Sequence, residues 1–129
     1  MGPTGPRRGL TLDAGALIAL DRGQSRVLAL TRTALNEERS ITIPAGALAQ
    51  AWRDGRRQAR LAAFVGAAAV DPLEAHGARA AGTLCARSET ADVVDASVVV
   101  SARARDDHVV TSDPDDLRRL DPALRVIHI

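Results

Sequence analysis

The chain contains no lysine: all 17 of its basic residues are arginine. This excludes any mechanism that requires a lysine. There is a single cysteine, Cys85, so an intramolecular disulfide is impossible and the expectation is an intracellular, cytoplasmic protein. Aromatic residues make up 2% of the chain, with only Trp52 and Phe64 present. Single-stranded nucleic-acid binders often stack bases on aromatic platforms, so nucleic-acid binding here would rest on charge and shape. No apolar run approaches the roughly 20 residues that span a bilayer, so no membrane association is expected. The opening segment Met1–Gly9 lacks the apolar stretch of a secretory signal. Its Pro and Gly content reads as a flexible tail over residues 1–9, in which Arg7 and Arg8 are expected to stay solvated. Neither a G-x-G-x-x-G after the first strand nor a P-loop is present.

What is present suits one domain over residues 10–129. The chain has 129 residues and 46% apolar content, enough for a real core built from Ala, Val, Leu and Ile. The net charge of +1 points to no partner by itself. Arginine in place of lysine fits a GC-rich coding sequence, and its planar fork also suits phosphate contacts.

Apolar periodicity divides the chain into alternating elements. Leu10–Leu12 reads as a buried strand and Ala14–Leu20 as a short helix broken by Asp21-Arg-Gly23. Ser25 is placed to cap a second helix running to about Glu38. Ser40–Ile43 alternates as a strand, and Pro44 suits the first turn of a helix reaching about Arg53. Asp54-Gly55 stops it, and an Arg-rich helix is expected from about Arg57 to Phe64. A strand at Ala67–Val70 precedes a helix from Leu73 to about Arg87 and another from Ala91 to Arg105. Val98-Val-Val100 runs against helix propensity, but the length of the periodic stretch decides for helix. His108–Thr111 reads as a strand, Pro114–Leu120 as a helical turn and Val126–Ile129 as a closing strand. This order predicts an α/β fold, a parallel sheet between helices.

Three aspartates fall where strands meet helices or where a helix begins: Asp13 after Leu12, Asp95 in Val94-Asp-Ala96, and Asp113 after Ser112. In an open α/β sheet, ligands bind beyond the carboxyl ends of the strands. Carboxylates gathered there repel one another, and a hard divalent cation relieves the repulsion. The chain therefore reads as a metal-dependent enzyme.

With these pieces in place, the chain resembles the PIN-domain family, above all the ribonuclease toxins of VapBC toxin–antitoxin pairs. The matching segments are Leu12-Asp-Ala-Gly-Ala-Leu17, Ile43-Pro-Ala-Gly46, Val94-Asp-Ala96 and Val110-Thr-Ser-Asp113, and the resemblance runs from Leu10 to the C-terminus. It implies a three-layer α/β sandwich with a five-stranded parallel sheet, Mg²⁺ or Mn²⁺ dependence, and hydrolysis of RNA phosphodiesters. It also implies a VapB-like antitoxin partner and a homodimer, here with Leu28 and Leu35 of the first helical hairpin as the expected patch. On this reading Asp13 and Asp95 hold the principal ion, and Asp113 completes the acidic pocket directly or through water. Ser112 or Thr111 would orient a ligand through its hydroxyl.

There is one departure. The family carries a glutamate on the helix after the second strand, and Gln50 stands in its place. A glutamine carbonyl can still ligate but carries no charge and takes no proton. The alternative function is therefore a PIN-like protein that has lost cleavage and acts by binding an antitoxin or other protein. Asp92, three residues before Asp95, shares its helix face and is either a helix cap or a further pocket ligand. Asp115 and Asp116 read as solvated helix-starting residues. Arg53, Arg56, Arg57 and Arg60 form a basic cluster that is either a solvated face or an RNA track, with Arg53 and Arg57 as the candidate substrate contacts. The three histidines form no metal-ligand pattern.

Overall fold

A computed structural model describes residues 8–129. The elements follow the expected order: β1 (Leu10–Leu12), α1 (Ala14–Asp21), α2 (Ser25–Asn36), β2 (Ile41–Pro44), α3 (Ala45–Ala51) and α4 (Ala59–Ala67). Then come β3 (Ala69–Asp71), α5 (Ala75–Ser88), α6 (Val93–Arg105), β4 (His108–Thr111), α7 (Pro114–Leu120) and β5 (Val126–His128). The five strands form one sheet in the order β3-β2-β1-β4-β5. Every pairing is parallel, with Leu12 opposite Val110 and Pro44 opposite Asp71. Seven helices flank this sheet, which is the PIN-like α/β architecture.

β1 lies at the centre, and all three of its residues are buried. A strand covered on both faces needs continuous apolar character, which Leu10 and Leu12 supply. Thr11 is tolerated because its hydroxyl donates to the buried carboxylate of Asp107 at 2.9 Å. The core is the one the composition demands. Leu12, Leu17, Val27, Ile43, Leu61, Val98, Val99, Val109, Val110 and Leu117 are its large side chains, filled in by Ala16, Ala34, Ala47, Ala96 and Ala102. The run Val98-Val99 is fully buried in α6, so packing on the sheet overrides the weak helix propensity of valine.

Several boundaries differ from the sequence expectation: Pro44 ends β2 and precedes α3, β3 runs Ala69–Asp71 and not Ala67–Val70, and α5 and α6 begin at Ala75 and Val93 and not at Leu73 and Ala91. Ser25 is the first residue of α2 and not its cap; the cap position is Gln24, whose side chain makes no capping bond. The turn through Gly23, at φ 78°, delivers the chain one residue earlier. Helix α3 stops at Ala51 and not near Arg53, because Trp52 is extended. The Gln58 side-chain carbonyl then accepts the N–H groups of Arg53 at 2.7 Å and Asp54 at 2.9 Å. This clamp holds the turn and moves the start of α4 to Ala59.

Of the expected tail, residues 1–7, Arg7 among them, lie outside the described residues. Arg8 is tied down, pairing with Asp106 at 3.0 Å. Gly9 is buried, and its carbonyl accepts the N–H of His108 at 3.0 Å. Among the described residues no helix is long and apolar enough to cross a membrane.

Candidate active site

The carboxyl ends of β1 and β4 lie side by side, and each hands the chain to a helix. Asp13 follows β1 and caps α1: its Oδ1 accepts the N–H of Ala16 at 2.8 Å. This is the bonding that makes Asp a preferred cap, and it fixes the carboxylate in place. Asp13 is 6% exposed. Burial pushes its carboxyl above the usual range, against hydrogen bonds from the Thr111 hydroxyl and the N–H groups of Ala16 and Gly15 that favour the charged form. The charge of Asp113 adds to the upward push. Thr111, at the end of β4, also accepts the N–H of Asp113 at 2.9 Å. One hydroxyl thus links both acids across neighbouring strands.

Asp95 comes from the first turn of α6. Its carboxyl is pushed up to about 7, first by burial, then by the charge of Asp92 and a hydrogen bond with it, and by the charges of Asp13 and Asp116. Asp92 is the α6 cap and accepts the N–H of Asp95 at 2.9 Å. The structure shows the cap role of Asp92, and the charge of the same carboxylate acts on Asp95. Asp116 is raised as well, chiefly by a hydrogen bond with Asp113 and by the charge of that residue. Thr90, Asp92, Asp95, Asp116 and Arg119 line a hollow of about 110 Å³.

Asp13, Asp95, Asp113 and Asp92 are thus brought into one electrostatic neighbourhood. Ser112 is exposed at the same place: a Cβ on Gly15 would collide with its Oγ and lie 3.5 Å from Asp13 Oδ1. Gln50 is exposed on α3, one turn beyond Gly46, whose bare face meets the Ser97 hydroxyl of α6. It lies on the α6-facing side of its helix and, among the described residues, makes no hydrogen bond with the acids. The candidate arginines are not brought in. Arg53 donates to the carbonyls of Ala49 and Trp52, and Arg57 faces Asp54 at 3.8 Å. Arg53 is tied to its own turn, and Arg57 projects into solvent.

Asp116 is the exposed, helix-starting residue that the sequence implied, and it also lines the hollow beside Asp95. Arg119 is the lining residue that the sequence reading missed. The signal for Asp116 was present: it stands three residues after Asp113, as Asp95 stands three after Asp92. His108, at the opposite end of β4, is kept below the usual imidazole range by burial and by nearby arginines. It plays no part in this cluster.

Among the described residues no three His, Cys, Asp or Glu side chains form a ready-made metal cage. The donor chemistry fits a different mode. Mg²⁺ is commonly held by one or two carboxylates and keeps several waters. The buried Asp13 and the half-buried Asp95, which repel each other, are the kind of donors such an ion relieves.

The fold defines a class, the PIN-like α/β domain. Particular structures share it. The chain is similar to VapBC2 from Rickettsia felis bound to a promoter DNA fragment, with TM-score 0.73 and 16% identity over 93% of this chain and 98% of that one. It is similar to DNA-bound VapBC from Salmonella typhimurium, with TM-score 0.70 and 20% identity over 95% and 98%. It is also similar to Mycobacterium tuberculosis VapC20, a toxin that cleaves the sarcin-ricin loop, with TM-score 0.66 and 18% identity over 83% and 92%. Scans of protein-family models and of curated proteins give no match.

Proposed function

We propose that the chain is an Mg²⁺- or Mn²⁺-dependent endoribonuclease, the toxin of a type II toxin–antitoxin pair. What supports this reading is that the charge of Asp13, after β1, acts on Asp95 in the first turn of α6, while Asp113, after β4, acts on Asp13. The likeness in fold to an RNA-cleaving toxin adds support.

Asp13 and Asp95 would hold the ion, with Asp113 beside it directly or through water. When bound, such an ion makes a coordinated water a stronger nucleophile and offsets charge developing on the phosphate. The rest of the work falls to the chain. Thr111 holds Asp13 in orientation, and Asp92 holds the first turn of α6 and with it Asp95. Ser112 offers a hydroxyl to a ligand at the mouth of the site.

The test is cleavage of RNA by the purified chain with Mn²⁺ or Mg²⁺, with EDTA, and after Asp95→Asn. The reading predicts metal-dependent cleavage that the variant loses by at least about a hundredfold. Cleavage that persists undiminished in the variant overturns it. Sequencing RNA ends after induced expression would identify the target.

The partner would be a VapB-like antitoxin, as in the VapBC complexes that share the fold. A homodimer is part of the same proposal. Leu35 is 50% exposed and available for it, whereas Leu28 packs against the core. A second reading rests on Gln50, which puts an uncharged amide where the family has an acid. On that reading the chain binds its antitoxin without cleaving RNA.

A further inference from the structure

A polyanion approaching the acids of this site meets repulsion, and that must be offset by positive charge close by, within the screening length of about 10 Å. Arg53 and Arg57 lie on the turn after α3 and do not line the hollow; Arg53 donates to the carbonyls of Ala49 and Trp52, and Arg57 is exposed. Arg103 is held by Asp121 at 3.6 Å, and Arg105 by Asp71 and Asp107.

Arg119 is different. It sits in the last turn of α7, three residues after Asp116 and six after Asp113, and successive residues at this spacing are helix neighbours. It is the one basic residue lining the hollow shared by Thr90, Asp92, Asp95 and Asp116. Its charge lowers the carboxyl of Asp116, yet it closes no hydrogen bond or ion pair with any described residue. Three carboxylates stand around a guanidinium whose five donors remain open. A guanidinium fork matches the oxygens of a phosphodiester and binds them in pairs.

We infer that Arg119 is a phosphate-binding residue, holding non-bridging oxygens of the RNA backbone at the rim of the acidic hollow. This rests on the nuclease reading and deepens it. Arg119 acts on the substrate directly, and the acids beside it remain free for the cation. The approaching strand is anchored on α7, not on the turn between α3 and α4.

The test uses the full chain and a fluorescein-labelled single-stranded RNA, first in EDTA so that binding is read without cleavage. Arg119→Ala is expected to weaken binding about tenfold. It should also make the slope of log affinity against log salt shallower by about 0.7, the value for one phosphate contact on a single strand. Arg119→Lys should restore part of the affinity. Arg118→Ala, a change on the same helix outside the hollow, should leave binding as it is. With Mn²⁺ added, Arg119→Ala should raise KM far more than it lowers kcat.

If Arg119 merely balances the acids or the helix dipole, its removal tightens Mn²⁺ binding and leaves RNA affinity and salt slope unchanged. That outcome overturns the inference while leaving the nuclease reading intact if the native chain still cleaves. A native chain that neither binds nor cleaves RNA sinks both.

Discussion

The Asp92 carboxylate accepts the backbone N–H of Asp95 at 2.9 Å, and the same carboxylate opposes ionisation of the Asp95 side chain. One residue therefore orders the first turn of α6 and raises the charge repulsion within it. A helix N-terminus favours an anion, but two acids one turn apart, with Asp13 and Asp116 facing them, exceed what that dipole offsets. The arrangement is ordered in its backbone and strained in its charge. On the proposed function, a bound cation would offset that repulsion.

This strain has a pH signature in the metal-free protein. Asp95 has its carboxyl at about 7 in the folded chain, against 3.8 for an ordinary aspartate. Below about pH 4 it is protonated in both states and costs nothing. As the pH rises, the unfolded chain releases the proton first, so folded-state stability falls until the folded carboxyl ionises near 7. In EDTA, the melting temperature should therefore drop between about pH 4 and 7. Asp95→Asn should melt higher than the native chain at neutral pH and show a shallower decline. A variant that is less stable at pH 7, with an unchanged decline, would refute this account.

Asp13 has two separable jobs. Asparagine keeps an oxygen for the Ala16 N–H, while alanine removes it. Asp13→Asn should fold at least as well as the native chain without metal, because it loses a buried charge. Asp13→Ala should be about 1 kcal/mol less stable than Asp13→Asn for want of the cap. Both should lose the rise in melting temperature that Mn²⁺ gives the native chain. Calorimetry with and without Mn²⁺ checks all three expectations, and a full Mn²⁺ response in Asp13→Asn would remove this residue from the ion site.

Gln50→Glu adds an acid on the α6-facing side of α3. Tighter Mn²⁺ binding, read by titration calorimetry, and faster RNA cleavage are expected. Unchanged values for both would mean that position 50 does not address the site.

Gly15 lies under Ser112, and a Cβ there displaces the Ser112 hydroxyl. Serine is a short, exposed side chain that can rotate away, and alanine favours a helix over glycine by about 1 kcal/mol. Gly15→Ala should therefore melt at or slightly above the native temperature while RNA cleavage falls several-fold. Native activity in this variant would show that the placement of the Ser112 hydroxyl is immaterial.

Much of this was legible in the chain itself. The β-α order followed from short apolar runs and turn residues. The helix over Val98-Val-Val100 was readable because the periodic stretch is too long for a strand of this sheet. Asp13, Asp95 and Asp113 stood out because each marks a junction or a helix start. The less legible parts depended on side chains acting across space. The end of α3 is set by Gln58 reaching back to the Arg53 and Asp54 N–H groups, which no local pattern announces. Asp116 is exposed as its polar sequence neighbours implied, and Asp113 is its neighbour along the chain, but its company of Asp92 and Asp95 exists only once α7 packs beside α6.

The sequence by itself determined the alternation of strands and helices, the small-residue core and the identity of the acids. These follow from hydrophobic periodicity and local backbone preferences, which are properties of neighbours along the chain. Only the tertiary structure decided which charges meet. Placing β1 beside β4 sets Asp13 near Asp113, and packing α6 and α7 together brings Asp95, Asp116 and Arg119 to one hollow. Coulomb energy depends on distance through space, and residues up to a hundred positions apart become interacting charges only when the sheet and its helices have closed around them.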